Sequence, residues 1–293
     1  MKKATVIITT LIFIFCANIS LFGQNIRRFY YNCETEGFVR FRLGHQVGML
    51  DRNDNVVIPA EFDVLTNVKN GMIVAINDAV CRQTGVRLVI DYSEPFRWHQ
   101  GQILLLDTLG NVLVNDFSPY NNNLDFFSLK ITETPHPDTI RDNFLATDGS
   151  YFSFVNFERE FEQWLFDDLL VNLTMERKIE ATLDSVATWI PGREFARYNN
   201  IEFANSGYFE ILKRASQNPN LKPIIRVCRY CLHPSGRTLA LERYYACGGI
   251  RISTYPRIRL FFFSLYYGID EQIYLFLRTE SGYKLYWFTS WNV

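Results

Sequence analysis

The stretch Val47-Gly48-Met49-Leu50-Asp51-Arg52-Asn53-Asp54-Asn55-Val56-Val57-Ile58-Pro59 decides how the first half of the chain is read. Two apolar runs, Val47–Leu50 and Val56–Ile58, flank five residues drawn from Asp, Arg and Asn. Asp and Asn bond their own backbone and tolerate positive φ, so the five form a turn by their chemistry. The β-branched run beyond them suits a pleated, half-buried surface. The stretch therefore reads as a β-hairpin. Pro59 is expected to stop its second strand, because proline has no N–H for a central ladder.

Outward from this hairpin the same rhythm continues. From about Phe29 to Phe154, short apolar runs are broken by turn residues roughly every 8–12 positions, the spacing of an all-β region. Phe38–Leu43 precedes the hairpin across Gly44-His45. Ile73–Ile76, Val86–Ile90, Ile103–Leu106 and Val112–Val114 follow it.

The hairpin leads into Glu61-Phe62-Asp63, then Asn70-Gly71-Met72 and Val74. Part of the pattern returns from about Gly101, as Leu106-Asp107, Gly110-Asn111-Val112-Leu113-Val114 and Phe117. Asp51 to Asp107 and Asn55 to Asn111 are both 56 positions apart, with a slip of one between Phe62 and Phe117. These residues resemble the WG repeat found in many bacterial proteins. That pattern has a Trp-Gly, a strand ending in Asp, a turn with Gly, a Val-Ile-Pro strand, an aromatic-Asp pair and a Gly before the closing strand. Val47 stands where the family has tryptophan, and Asp54 where it has the turn glycine. The matching positions are Val47, Gly48, Asp51, Asn55, Ile58, Pro59, Phe62, Asp63 and Gly71. The resemblance implies a β-repeat interaction or spacer region and transfers no catalytic constellation. A small antiparallel unit cannot bury its face alone, so copies must stack.

Before these strands, Lys2 and Lys3 precede an apolar stretch from Val6 to Cys16 and a mixed stretch to Gln24. This is the layout of a secretory signal, with cleavage expected after Gly23. Asn18 and Ser20 interrupt the run, which makes it a poor membrane span. The alternative is an uncleaved N-terminal anchor. Of 293 residues, 270 would remain, a length natural for two cores. The formal charge of −1 becomes −3 without the two leader lysines, which suggests no nucleic-acid footprint.

Near residue 150 the apolar period changes from 2 to 3.6. Asn156 is a helix N-cap followed by Glu158 and Glu160, and Phe157, Phe161, Trp164, Leu165 and Leu169 share one face. A helix over 156–171 follows. Residues 174–190 are expected to be helical in part, and Ser206–Ser216 a short helix capped by Asn205 or Ser206. Strands then fill the remainder: Ile224–Leu232 turning into Arg237–Cys247, Arg257–Tyr266 into Gln272–Thr279, and Tyr283–Trp291. Helices followed by hairpins argue for α+β. The ending Phe276-Leu277-Arg278-Thr279-Glu280-Ser281-Gly282-Tyr283-Lys284-Leu285-Tyr286-Trp287-Phe288-Thr289 resembles the last hairpin of nuclear-transport-factor-like cone domains.

Candidate chemistry is sparse. Export permits disulfides, and Cys33, Cys81, Cys228, Cys231 and Cys247 are an odd set that leaves at least one thiol unpaired or bonded to another chain. Cys228, Cys231 and Cys247 with His233 could supply zinc ligands. However, a step of three along a strand sends Cys228 and Cys231 to opposite faces, so no metal or cofactor is expected. His45, His99, His136 and His233 sit in or beside turns and read as solvated loop residues. Asp167-Asp168 reads as a solvated helix face. Phe261, Phe263, Phe276, Tyr286 and Trp287 either fill the core or line an apolar pocket.

The sequence thus implies a leader over 1–23 and a mainly β, WG-repeat-like region of antiparallel hairpins over 24–150. An α+β domain over 151–293 follows, with helices packed on an antiparallel sheet. The implied function is non-enzymatic binding of another envelope protein or surface ligand, in the periplasm or outside the cell. The chain is not expected to be an integral membrane protein once the leader is removed. The alternative is a small-molecule-binding or hydrolytic cone domain with its site inside the C-terminal sheet. N-terminal sequencing of the mature protein should read Gln24 first, and an intact Met1 would refute cleavage.

Overall fold

The computed structural model describes residues 27–28, 34–81, 98–99, 101–118, 123–190, 195–228, 245–246, 252–253, 256–264 and 270–290. The leader, the 86–90 run, Cys33, Cys231, Cys247 and His233 lie outside them. The fold is mainly β, 52% strand and 18% helix, with several antiparallel sheets. Among the described residues no helix is long and apolar enough to cross a membrane. Packing divides the chain into two compact units, Met1–Pro119 with Leu145–Gly149, and Tyr120–Phe144 with Ser150–Val293. The sequence suggests a single boundary near 150, whereas 120–144 packs with the second unit.

The first unit holds two four-stranded sheets. One runs β1(Arg27–Arg28), β2(Phe38–Leu43), β3(Gln46–Asp51), β4(Val56–Phe62) in that order. The other has the order β10-β9-β6-β5, from β5(Val64–Leu65), β6(Met72–Asn77), β9(Gln102–Asp107) and β10(Val112–Val114). A short ladder joins β7(Val80–Cys81) to β8(Trp98–His99). The registers of the two sheets correspond pair by pair. Phe38↔Asp51 through Leu43↔Gln46 in the first recur as Met72↔Asp107 through Asn77↔Gln102 in the second. Leu50↔Val56 and Met49↔Ile58, flanking a bulge, recur as Leu106↔Val112 and Leu105↔Val114. Arg27↔Arg42 and Arg28↔Phe41 recur as Val64↔Ile76 and Leu65↔Ala75.

The turns correspond as well. Glu36-Gly37 and Asn70-Gly71 both have positive φ at both residues, the two-residue hairpin geometry whose twist matches the flanking strands. In the Asp51 turn, Oδ1 accepts the N–H groups of Asn53 and Asn55 at 2.8 Å each, and Asn55 Nδ2 donates to Oδ2 at 2.8 Å. In the Asp107 turn, Oδ1 accepts from Leu109 at 2.8 Å and Asn111 at 2.9 Å, and Asn111 Nδ2 reaches Oδ2 at 2.8 Å. Gly110 has φ +87 and Asp54, 56 positions earlier, has φ +63. Asp tolerates that conformation where most side chains do not.

The sheets pack face to face. Val47, Met49, Ile58 and Phe62 of the first meet Ile73, Ala75, Leu104 and Leu106 of the second. Polar ties reinforce this contact. Buried Arg40 donates to the Leu65 carbonyl at 2.8 Å, and the Glu36 carboxylate accepts the N–H groups of Asn70 at 2.6 Å and Gly71 at 2.8 Å. Pro59 does not end its strand, which continues to Phe62. It is exposed on edge strand β4, inside the bulge between Ile58 and Phe62, where no ladder needs its missing N–H.

In the second unit, β11(Leu124–Thr132), β12(Arg141–Leu145) and β13(Tyr151–Asn156) form a sheet of order β11-β13-β12. Helix α1(Phe157–Gln163) starts directly from β13, and the Asn156 side chain accepts from the N–H groups of Glu158 and Arg159. It continues as a π-helical turn, Trp164–Leu169, whose greater number of residues per turn lets Leu165, Leu169 and Leu170 all bury. Helix α2(Met175–Glu180) follows, capped by Thr174. The rest of the expected 174–190 helix is instead the strand β14(Thr182–Trp189), where β-branched Thr182, Val186 and Thr188 override the helical start. Next come β15(Ala196–Asn199), α3(Asn200–Asn205) and α4(Tyr208–Gln217). Asn199 and Glu202 cap α3 reciprocally, and α4 opens at Gly207, φ +82, without a side-chain cap from Asn205 or Ser206.

The strands β16(Leu221–Cys228), β19(Arg257–Ser264), β20(Asp270–Thr279) and β21(Gly282–Ser290) complete a six-stranded sheet of order β15-β14-β21-β20-β19-β16. A separate two-stranded ladder joins β17(Tyr245–Ala246) to β18(Ile252–Ser253). One expectation changes here, beside one that falls outside the described residues. Strand β16 pairs with β19, with Cys228 opposite Arg257, and the expected 237–247 strand lies outside the described residues apart from 245–246. The sheet is also not wholly antiparallel, since β14 runs parallel to β21. A long crossover through α3 and α4 makes that pairing possible, and local sequence does not announce it.

The helices cover one face of this sheet. Phe161 is fully buried, with ring centroids 5.0 Å from both Phe276 and Tyr283. Phe161→Ala should lower the unfolding free energy by about 3–5 kcal/mol. An unchanged denaturant midpoint would show that α1 is not docked through this ring. Acid tests the turns of the first unit. Bonds from Asn55 hold Asp51 below the ordinary 3.8. At Asp107 partial burial pushes upward, but the Asn111 bonds outweigh it and the carboxyl is again low. A carboxyl with a folded pKa below its unfolded value binds fewer protons when folded, so its stabilisation is present above that value and lost as pH falls. The double variant Asp51→Asn, Asp107→Asn should show a flatter loss of stability below about pH 4. Parallel acid-unfolding curves for variant and wild type would refute this.

Candidate functional site

The WG-like positions gather in the first unit as structural groups. Gly48 admits no side chain, because a Cβ there would lie 2.5 Å from the Phe41 ring and 2.6 Å from the Ile58 carbonyl oxygen. Val47, Ile58 and Phe62 are core, and Asp51 and Asn55 make the turn described above. The Asp63 carboxylate accepts the Ala79 N–H at 3.0 Å. Gly71 sits in the hairpin turn gripped by Glu36.

Other sequence candidates scatter. The backbones of Cys81, His99 and Cys228 lie in strands, and their side chains fall outside the described residues. Among the described residues no group of His, Cys, Asp and Glu could hold a metal ion. His45 is exposed in its turn. His136 Nδ1 accepts the Asp138 N–H at 3.2 Å, and Asn143 brackets its backbone. Asp167 and Asp168 are exposed, and Asp168 pairs with Arg177.

The aromatic residues considered as one apolar pocket do not share a face. Phe276 lies under the helices with Tyr274, Phe262 and Phe288, all fully buried. Tyr286 and Trp287 belong to a separate cluster with Leu183, Ala187 and Leu277. Phe261 lies between two guanidinium groups, Arg226 at 5.3 Å and Arg259 at 5.1 Å from its centroid. The Phe263 side chain is outside the described residues. Strand alternation separates Phe261 from Phe262 and places the first away from the helices.

The space between the helices and the sheet is filled by rings, and the polar groups there are few. Tyr274 donates to Gln272 Oε1 at 3.0 Å, and burial pushes its hydroxyl pKa up. Tyr283 donates to Glu160 Oε2 at 2.6 Å and shares its proton with the Phe157 carbonyl at 3.2 Å. Burial and the Glu160 charge both raise Tyr283. Arg278 closes the other side of that carboxylate at 3.2 Å. Burial alone would lower the guanidinium pKa, and Glu160 more than reverses it. With its carboxylate neutralised by Arg278 and hydrogen-bonded by Tyr283, Glu160 serves as a latch between α1 and the final hairpin.

A polar cleft of about 300 Å³ opens instead at the rim of the sheet, and the sequence reading did not single it out. It lies between the end of α2, the start of β14, the start of α3 and the β20–β21 turn. Its charged groups are Glu180, Asp184 and Lys284. Lys284 is half-buried and donates to the Glu180 carbonyl. Burial lowers its pKa, opposed by the charges of Glu180 and Asp184. Arg177 holds the Glu180 carboxylate at 3.2 Å. A lysine within a strand carries no sequence signal for this role, because its neighbours arrive from four separate elements.

No family model matches the chain, and no curated protein matches it significantly. Among solved structures it is similar to that of a conserved protein from Planctomyces limnophilus DSM 3776. The similarity covers 46% of this chain and 94% of that one, at 12% identity and a TM-score of 0.23.

Proposed function

We propose that the chain is an exported, non-catalytic binding protein that combines a WG-like repeat region with a cone-like α+β domain and engages another envelope protein or a surface ligand. The repeat reading is supported by the shared registers, bulge and Asp–Asn turns of the two sheets. Their offset is 34 positions from β2 to β6 and 56 from β3 to β9, so the second copy carries 22 extra residues between its matching strands. The cone reading draws on the sheet order β15-β14-β21-β20-β19-β16 with helices on one face. The observation that carries the non-catalytic reading is the filled interior. Phe161, Tyr274, Phe276 and Phe288, all fully buried, occupy the space where a cone enzyme would hold its substrate.

The mature chain, immobilised in envelope extract, should retain one component that binds again as a purified protein or ligand in stoichiometric amount. Hydrolysis of ester, phosphoester and glycoside substrates should stay at the buffer rate. Turnover that Glu160→Gln abolishes without unfolding the protein would overturn this reading in favour of a cone-type hydrolase.

A further inference from the structure

The rim cleft of the second unit has a charge arrangement of its own. We propose that it binds a small zwitterion of the α-amino-acid type, with the ligand carboxylate on Lys284 and the ligand ammonium on Asp184. This goes beyond the envelope-partner reading and does not depend on it.

The cleft carries three charges, and one is already satisfied. The Glu180 carboxylate is held by Arg177, which it shares with Asp168, and the other two charged groups of the lining are Lys284 and Asp184. These two sense each other electrostatically, yet among the described residues the Asp184 carboxylate makes no hydrogen bond and no ion pair. Opposite charges that share a cleft without closing on each other are complementary to a ligand that is itself dipolar. Lys284 donates one N–H to the Glu180 carbonyl and keeps two for a carboxylate. Half-burial strengthens such a charge-assisted bond, because less water screens it.

The neutral groups narrow the ligand further. Thr182 gives its hydroxyl proton to the Lys178 carbonyl at 2.6 Å, and Thr279 gives its own to the Gly282 carbonyl at 2.8 Å. Neither is free to donate to a sugar hydroxyl. Asn200 uses Oδ1 for the Ile201 N–H at 3.0 Å, so its NH₂ group remains to donate to the same ligand carboxylate. Ile179 and Leu183 supply an apolar wall for a short aliphatic side chain. A volume of about 300 Å³ is at the lower end for small-molecule sites and suits a ligand of amino-acid size.

The test titrates the mature protein, by calorimetry and amide chemical shifts, with L-valine and two half-ligands. Isovalerate keeps the carboxylate and the branched chain, and isobutylamine keeps the ammonium and the branched chain. L-valine should bind about tenfold or more tightly than either half-ligand, as expected when one charge-assisted bond is lost. Lys284→Met should weaken valine and isovalerate but leave isobutylamine unchanged. Asp184→Asn should weaken valine and isobutylamine but leave isovalerate unchanged. If either variant fails to fold, Asn200→Ala at the exposed start of α3 provides the second readout, with valine and isovalerate weakened together. No saturable valine binding, valine no tighter than its halves, or variants that affect both halves alike would overturn the assignment. A failed partner capture with intact valine binding would sink only the envelope-partner reading, and the reverse pattern only this one.

Discussion

Phe161 meets Phe276 and Tyr283 at centroid distances of 5.0 Å, and the second unit depends on that contact staying dry. The ring ties helix α1 to the two strands of the final hairpin, so losing it would expose both at once. Aromatic pairs at such distances add to the burial term, and a cavity there would leave the surrounding rings without partners. The Tyr283–Glu160–Arg278 latch borders this contact. It partners the Glu160 carboxylate and the Tyr283 hydroxyl that the packed helix buries, although Arg278 Nε stays buried without a hydrogen bond.

A filled interior has a consequence for where polar chemistry can sit. With Tyr274, Phe276 and Phe288 closing the helix-covered face, unsatisfied charge is displaced to places where elements end. The rim cleft is such a place. A helix ends at Glu180, a strand begins at Thr182, and a tight turn at Glu280-Ser281 leaves room that no side chain fills. Lys284 is held there by a backbone carbonyl, so its position is set by the fold and not by a salt bridge that solvent could replace.

In the first unit the governing constraint is register. A one-residue slip in either sheet would turn Val47 and Met49, or Leu104 and Leu106, from the shared core to the opposite face. The Asp51 and Asp107 turns fix where the third strand begins, and the bulges after them rotate the strand so that Ile58 and Val114 bury. The 22 additional residues of the second sheet enter between β6 and β9, beyond the hydrogen-bonded ladder, and leave every paired position in place.

Local chemistry was enough to read several of these features. Asp51, Asp107 and their asparagines form turns because their side chains reach only their own backbone. Asn156 caps a helix because its oxygen lies two and three residues from the N–H groups it serves. Phe161, Leu165 and Leu169 lie on one helical face by periodicity alone. What depended on partners distant in sequence could not be read. Pro59 signalled a strand end, but β4 is an edge strand with a bulge, where proline is tolerated. Residues 182–189 continued a helical pattern, but their place was fixed by a parallel neighbour, β21, about a hundred positions away. The apolar residues Phe261 and Phe276 share a composition and not a face, because strand pairing decides which way each ring points. The sequence by itself determined the Asp–Asn turns, the Asn156 cap and the amphipathic helix, since each closes within a few residues. Only the tertiary structure decided the sheet order, the filled interior and the rim cleft, since those are set by which distant surfaces are buried together.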